Sequence, residues 1–275
     1  MDMSLIQLNR LIGQVSPPIQ PMVKANVNNY TELVLEWNPI SIKRHALLYQ
    51  FITHPKKNNL LLIPDGCINL LFECTDASPQ IFLLGVLLKE KIISLKPNTL
   101  YFGFKPYSTA PIKNKYLNII KSLDKKVDFK NYLPESQKLM EAILSLDNIE
   151  SRSRIFLDYA RKYLINYNYI YDLGEHLSLT MCLEKGQRKI YELTENVGYS
   201  ERYCRKKFKE LLGINLTNYN SIMRFQNAMK AFIHKNISLT DIAHNSGYFD
   251  QSHFIRDFRK YTSKSPGEFK KKIVN

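Results

Sequence analysis

Ile242-Ala243-His244-Asn245-Ser246-Gly247-Tyr248-Phe249-Asp250-Gln251-Ser252-His253-Phe254-Ile255-Arg256-Asp257-Phe258-Arg259-Lys260 reads as a helix, a glycine turn and a second helix. A helix that stops sharply before another at a steep angle needs a residue tolerant of positive φ, and Gly247 supplies it. Asp250 is a side chain of the kind that caps the helix that follows. At about 100° per residue, Phe254, Phe258 and Tyr261 share one face of that helix. Ser252, Arg256 and Arg259 oppose them, and Gln251 sits at the N-terminal shoulder. Arg can pair with both acceptors of guanine, and Gln with adenine, so this polar face is suited to reading bases. The spacing is that of a helix-turn-helix, whose second helix enters the DNA major groove.

The same pattern occurs a second time, about 50 residues upstream. Glu192-Leu193-Thr194-Glu195-Asn196-Val197-Gly198-Tyr199 lines up with Asp241 to Tyr248. Allowing one extra residue, Phe249, in the later copy, Ser200, Cys204, Phe208, Leu211 and Tyr219 match Asp250, Phe254, Phe258, Tyr261 and Phe269. In this first unit Cys204, Phe208 and Leu211 form the apolar face, and Arg202, Arg205, Lys206 and Lys209 oppose them. A basic helix face is most often only a solvated one. Here cap, glycine, apolar face and basic face recur at matching offsets, and a protein-binding helical repeat would explain the period but not the two basic faces. Between the copies, Ile222, Phe225, Met229 and Phe232 make one stripe, which predicts a rigid connecting helix. Such a helix would hold two recognition helices about one DNA turn (~34 Å) apart.

Residues 172–273 resemble the DNA-binding domain of the AraC/XylS family of bacterial transcription regulators. The segment quoted first, followed by Ser265-Pro266, is similar to the family's second-unit signature almost throughout. Gly198-Tyr199-Ser200, Arg205-Lys206-Lys207-Phe208 and Gly213 fit the first unit. The chain departs from the pattern at Thr194, where Ala is usual, and at Cys204, where Leu is usual. The resemblance implies base contacts from Arg202, Arg205 and Lys206 in one helix and from Gln251, Ser252 and Arg256 in the other. It also implies a cytoplasmic, non-enzymatic regulator acting on double-stranded promoter DNA, as activator or repressor. RNA polymerase, a small-molecule effector and a second copy of the chain are further partners it admits. Ile63-Pro64-Asp65-Gly66-Cys67-Ile68-Asn69-Leu70-Leu71-Phe72 and Phe102-Gly103-Phe104-Lys105-Pro106 resemble a sensor-like domain found ahead of this module in some members, with Asn69 where Asp is more frequent.

Charge follows the same division. The chain has 275 residues and a formal net charge of +14. Residues 151–275 hold 22 Lys and Arg against 12 Asp and Glu, whereas residues 1–150 hold 17 against 13. A basic domain attracts a polyanion by counterion release, although charge alone would suit a membrane surface equally well. No apolar run approaches the roughly 20 residues of a membrane helix. The N-terminus lacks the basic flank and apolar core of a secretory signal, so neither membrane nor export is expected.

The first half reads as strands: Leu60–Ile63, Ile68–Glu73, Ile81–Leu84, Lys91–Leu95 and Leu100–Phe104, separated by turn formers such as Pro64-Asp65-Gly66. This pattern predicts a β-barrel or sandwich. Two helices follow, one with Leu139, Ile143, Leu144 and Leu146. A polar break spans Asp147 to Ser153, and the next helix carries Ile155, Tyr159, Tyr163 and Leu164 on one stripe. The expected fold is therefore α+β. A β-rich sensor or dimerisation domain spans 1–150, a linker helix 151–171, and an all-α DNA-binding domain 172–275.

Little in the sequence points to catalysis. His45 and His54 belong to no metal-binding cluster, no glycine loop cradles phosphate, and neither metal nor cofactor is expected. Trp37 reads as a core residue. Cys67, Cys74, Cys182 and Cys204 lack zinc or redox spacing, which favours buried thiols. Alternatives stay open for the N-terminal domain: a receptor whose ligand site the sequence leaves unassigned, a structural and dimerisation module, or a redox or alkylation sensor acting through Cys67.

Overall fold

The computed structural model describes residues 15, 17–37, 44–56, 58–75, 78–107, 122–164, 173–234 and 237–274. A short helix, α1 (Pro21–Asn26), leads into eight strands: β1 (Val27–Trp37), β2 (Arg44–Thr53), β3 (Asn59–Leu62), β4 (Asn69–Cys74), β5 (Gln80–Leu84), β6 (Lys91–Ser94), β7 (Leu100–Pro106) and β8 (Lys126–Asp128). Six form an antiparallel sheet in the order β1-β2-β7-β4-β5-β8, and β3 pairs with β6 in a second sheet. Register is well specified at the centre, where Leu48 stands opposite Phe104 and Phe72 opposite Phe102.

Strand alternation separates two cores. Leu48, Leu70, Phe72 and Phe104 point to one face, while Leu47, Tyr49, Phe51 and Leu71 point to the other and meet Leu60 and Ile93 of the small sheet. β4 is buried along its whole length, including Asn69 and Glu73, whose polar groups meet the Tyr49 and Tyr101 hydroxyls. The five strands expected from sequence are present with ends shifted by a residue or so. β1 and β2, which pair with each other from Val27↔Thr53 to Trp37↔Arg44, escaped that reading. The side chain of Trp37 lies outside the described residues.

Helices α2 (Ser136–Leu144) and α3 (Ile149–Tyr159, continued by a wide turn Ala160–Leu164) cover the first core face. The expected polar break is shorter than Asp147–Ser153, because the Asn148 side chain accepts from Ser151 N at 2.8 Å and starts α3 at Ile149. The buried stripe is also rotated from the expected one. Ile155 is 37% exposed, whereas Phe156 is fully buried against Phe72, Phe102 and Phe104 at 5.5, 6.0 and 4.7 Å between ring centroids. Arg152 is buried beside it because its guanidinium satisfies carbonyls left open at the end of α2: Ile143 O at 3.2 Å, Asp147 O at 3.3 Å and Leu146 O. The helix expected as a linker over 151–171 thus packs on the sheet through Ile149–Tyr159, Leu164 is buried in the same core, and residues 165–172 lie outside the described residues.

Everything described from Leu173 onward is helix or turn: α4 (Leu173–Leu183), α5 (Ile190–Glu195), α6 (Glu201–Leu212), α7 (Leu216–His234), α8 (Leu239–Asn245), α9 (Gln251–Thr262) and α10 (Pro266–Val274). The two halves meet through α7. The Gln226 amide accepts from Ile19 N at 2.9 Å and donates to Pro64 O at 2.8 Å. Among the described residues no helix is long and apolar enough to cross a membrane.

Candidate nucleic-acid interface

Each helix-turn-helix unit is built from local rules. In the first, α5 ends in a turn with Gly198 at φ 71°, and Ser200 caps α6 by accepting from Tyr203 N at 3.3 Å. The Gly213 amide closes α6 by donating to Lys209 O at 2.9 Å, with φ 71°. In the second, Ser238 caps α8, Gly247 turns at φ 75°, and Asp250 caps α9 by accepting from His253 N at 2.6 Å. Gly198 and Gly247 therefore occupy the left-handed backbone region that the sequence required of them.

The two faces of each recognition helix separate as expected. On α6, Cys204, Phe208 and Leu212 are buried while Arg202, Lys206 and Lys209 are exposed. Leu211, expected in the apolar face, is only half-buried, and Leu212 takes its place. On α9, Phe254, Phe258 and Tyr261 are buried while Gln251, Ser252, Arg256 and Arg259 are exposed. Both departures from the family pattern are accommodated locally. Cys204 is fully buried, and the Thr194 hydroxyl donates back to Ile190 O at 3.2 Å, which lets it sit in the core.

Not all the named side chains are equally available. Arg205 is tethered to Glu201 at 2.7 Å and to the Thr217 hydroxyl at 3.0 Å, and Lys206 lies 4.0 Å from Glu210. Gln251 Oε1 accepts from the Thr240 hydroxyl at 2.8 Å, which holds its amide at the start of α9. Exposed pairs of this kind are worth at most about 1 kcal/mol and give way readily to a phosphate or a base.

The connecting helix α7 supplies the shared core. Ile222, Phe225 and Met229 are fully buried and Phe232 nearly so. Tyr219 packs edge-on to Phe208 of the first recognition helix at 5.2 Å, and Phe225 and Phe232 pack on Phe258 of the second at 5.9 and 5.3 Å. Arg224, which the sequence reading passed over, donates to Gly247 O at 3.4 Å and lies over the Tyr248 ring. Phe249 was visible only as the extra residue in the repeat. It stands 94% exposed directly before the cap of α9.

The N-terminal domain holds a cavity of about 440 Å³ between its sheets, walled chiefly by Leu47, Tyr49, Phe51, Leu71 and Ile93, with Ile233 and Ile273 contributed from the helical half. Near it, Lys105 and Asp65 form a buried pair at 2.5 Å. Burial alone would lower the Lys105 pKa, but Asp65, joined by Tyr49 and Cys67, offsets it so that the net shift is upward and the ammonium is held. His45 is buried 3.6 Å from Glu36, and among the described residues no group of three or more His, Cys, Asp or Glu could hold a metal. Cys67 precedes β4 and Cys74 ends it, and the five strand steps from Asn69 to Cys74 alone span about 16 Å at about 3.3 Å per residue, too far for the two thiols to form a disulfide with each other.

Two capped helix-turn-helix units on one connecting helix define a tandem DNA-binding module. A helix-turn-helix domain family model matches residues 193–272. The chain is 32% identical over 82 residues to the probable transcription factor PqrA of Proteus vulgaris, a match covering 30% of this chain and 67% of that one. It is also 32% identical over 79 residues to an uncharacterised helix-turn-helix-type transcriptional regulator of Staphylococcus aureus, covering 29% of this chain but only 11% of that much longer protein. Among solved structures, ToxT of Vibrio cholerae aligns over 90% of this chain and 99% of its own at 13% identity with a TM-score of 0.42. The chain belongs to the AraC/XylS family of DNA-binding transcription regulators.

Proposed function

We propose that this chain regulates transcription by reading a duplex DNA site with α6 and α9 in successive major grooves. The observation that carries the reading is the pairing of two capped helices, each with an aromatic or thiol core face and an opposite polar, basic face. Arg202, Arg205, Lys206 and Lys209 serve the first half-site, and Gln251, Ser252, Arg256 and Arg259 the second. Residues 172–275 form the DNA-binding domain, and the β-rich part with α2 and α3 forms the regulatory one. The test is selection of binding sites from random duplexes with the full chain, followed by titration at several salt concentrations. Affinity for the selected site falls tens-fold or more between about 50 and 200 mM salt if several phosphates are neutralised. Salt-independent binding, or enrichment of no sequence, refutes the proposal.

The regulatory part acts through a small molecule held in the 440 Å³ cavity, which lies in the size range of small-ligand pockets. Its support is position: two isoleucines of the helical half help wall it, so an occupant touches both halves. A ligand that binds only the folded state raises the melting temperature, so a thermal-shift screen of the full chain against metabolites tests this, and Leu71→Trp, which fills the space, should abolish any response. The chain works without catalysis, in the compartment that holds the DNA.

A further inference from the structure

Where the β-domain meets α4 and α7, two cysteines and a lysine from separate elements line one small cavity of about 90 Å³. Cys67 ends the turn before β4, Cys182 lies at the end of α4, and Lys230 is on α7. Tyr219 and Met223 of α7 stand at the junction. Cys182 Sγ lies 3.3 Å from the Tyr219 hydroxyl and 3.5 Å from Met223 Sδ. The same two side chains press on Gly66 so closely that a Cβ there would lie 2.6 Å from Met223 Cε and 2.9 Å from Tyr219 Cε2. Any group added inside this cavity has little room unless the turn and the helix part.

The chemistry of the lining is specific. Asp65, which contributes its one carboxylate, is already taken by Lys105 at 2.5 Å and by Gln20 Nε2 at 2.9 Å. Lys230 thus shares the cavity with two thiols, and the one carboxylate there already has partners. Burial brings its pKa down to about 8; Cys182 and Cys67 oppose that shift, and Lys185 adds to it. An amine in this range can take a thiol proton and give it back, and an ammonium beside sulfur favours the thiolate. Cys67 shares the cavity but is buried, and the remaining two cysteines lie outside it. Cys74 and Cys204 are buried, and burial pushes the Cys74 thiol up to about 11. Cys182 is only partly buried.

We propose that Cys182, assisted by Lys230, is a modification site for small α,β-unsaturated carbonyl compounds, and that the adduct alters DNA binding by parting the seam at α7. The thiol proton passes to the Lys230 amine. The Sγ–Cβ bond forms as the C=C electron pair moves to the α-carbon, and that carbon takes a proton from the Lys230 ammonium. The S–H is added across the double bond, with no leaving group and no oxidant. The output of the switch rests on the DNA-reading function proposed above; the chemistry of the site does not.

The test treats the full chain with equimolar methyl vinyl ketone near neutral pH and maps adducts by peptide mass spectrometry. Cys182 is expected to label about tenfold or more faster than Cys74 and Cys204, in line with thiolate character and access. Lys230→Arg, which keeps the charge but cannot release its proton at this pH, should slow labelling about tenfold. N-phenylmaleimide, too bulky for the cavity, should show no preference for Cys182. Labelled protein should differ at least about fivefold in affinity for the selected duplex, roughly 1 kcal/mol of coupling, and Cys182→Ser should be insensitive. Adducts forming first on another thiol, or a rate indifferent to Lys230→Arg, overturn the site. Selective labelling with unchanged affinity overturns the switch. If unlabelled protein binds no duplex, the DNA reading fails, while the labelling pattern still decides the chemistry.

Discussion

Arg256 offers the sharpest test of how the second recognition helix works. It is exposed at the middle of α9, and its neighbours Phe254 and Phe258 carry the packing. Truncating it to Ala removes no buried surface, so the folded chain should lose no more than about 0.5 kcal/mol. On DNA the expected loss is larger. A side chain paired with a base edge contributes about 1–3 kcal/mol of discrimination, so Arg256→Ala should weaken the selected site by about 5- to 150-fold. Random duplex should be affected far less. Lys260 is the internal control: it lies 4.9 Å over the Tyr261 ring, beside the buried face, where a phosphate is its natural partner. Lys260→Ala should weaken every duplex alike and make the salt slope shallower by about one. Fluorescence anisotropy on selected and random duplexes at four salt concentrations measures both. Equal losses on the two DNAs for Arg256→Ala would make it a backbone anchor and refute the assignment of this face.

Three further outcomes follow from the packing. Lys105→Met leaves Asp65 buried without its counter-ion and should cost about 3–5 kcal/mol by urea denaturation, with Lys105→Met/Asp65→Leu recovering much of that loss. Gly198→Ala should cost roughly 1–2 kcal/mol, the strain of a left-handed Ala in open space. Gly247→Ala should cost more, because its Cβ would also meet Gln187 Cγ at 2.9 Å; equal melting temperatures for the two variants would contradict this. Glu201→Ala frees Arg205 of its ion pair, leaving the Thr217 contact, and removes a negative charge from the basic face, so non-specific DNA affinity should rise and its salt dependence steepen, measured on random duplex.

The helical half was almost wholly legible, because each of its features has a local cause. Gly247 needs positive φ, Asp250 caps, and Phe254 and Phe258 repeat at helical spacing; each of these is written within a few residues of the place where it acts. The β-half was legible where turn formers punctuate it, as at Pro64-Asp65-Gly66, and illegible at β1 and β2. Those two strands are long, and Val27–Trp37 mixes Asn, Tyr, Thr and Glu with its apolar residues because it lies at a sheet edge. The misplaced stripe on α3 has a different origin. Arg152 is buried and Ile155 is not, and it is the open carbonyls at the end of α2, together with Gln50 Oε1 of β2 at 2.7 Å, that make an arginine welcome there. For the candidate site, residue types and faces were readable, but the tethering of Arg205 by Thr217 and the grouping of Cys67, Cys182 and Lys230 depend on tertiary contact. No spacing in the chain announces them.

Helix α7 explains why one seam can bear on both α6 and α9. Its residues Ile222, Phe225, Met229 and Phe232 form the stripe that packs into the helical core, and Phe225 and Phe232 seat the second recognition helix. Tyr219, Met223, Gln226 and Lys230 form an adjoining stripe, of which Tyr219 also holds Phe208 of the first. That second stripe faces the β-domain through the Pro64-Asp65-Gly66-Cys67 turn. It escaped notice in the sequence because one Tyr, one Met, one Gln and one Lys do not look like a buried face. A ligand or adduct on the β-domain side therefore needs no contact with α6 or α9 to change their relation. It needs only a different affinity for the docked and undocked positions of α7, and the shift in DNA binding cannot exceed that difference in free energy. Weakening the seam without any ligand, as Gln226→Ala does by removing three interdomain hydrogen bonds, should then mimic part of the effect.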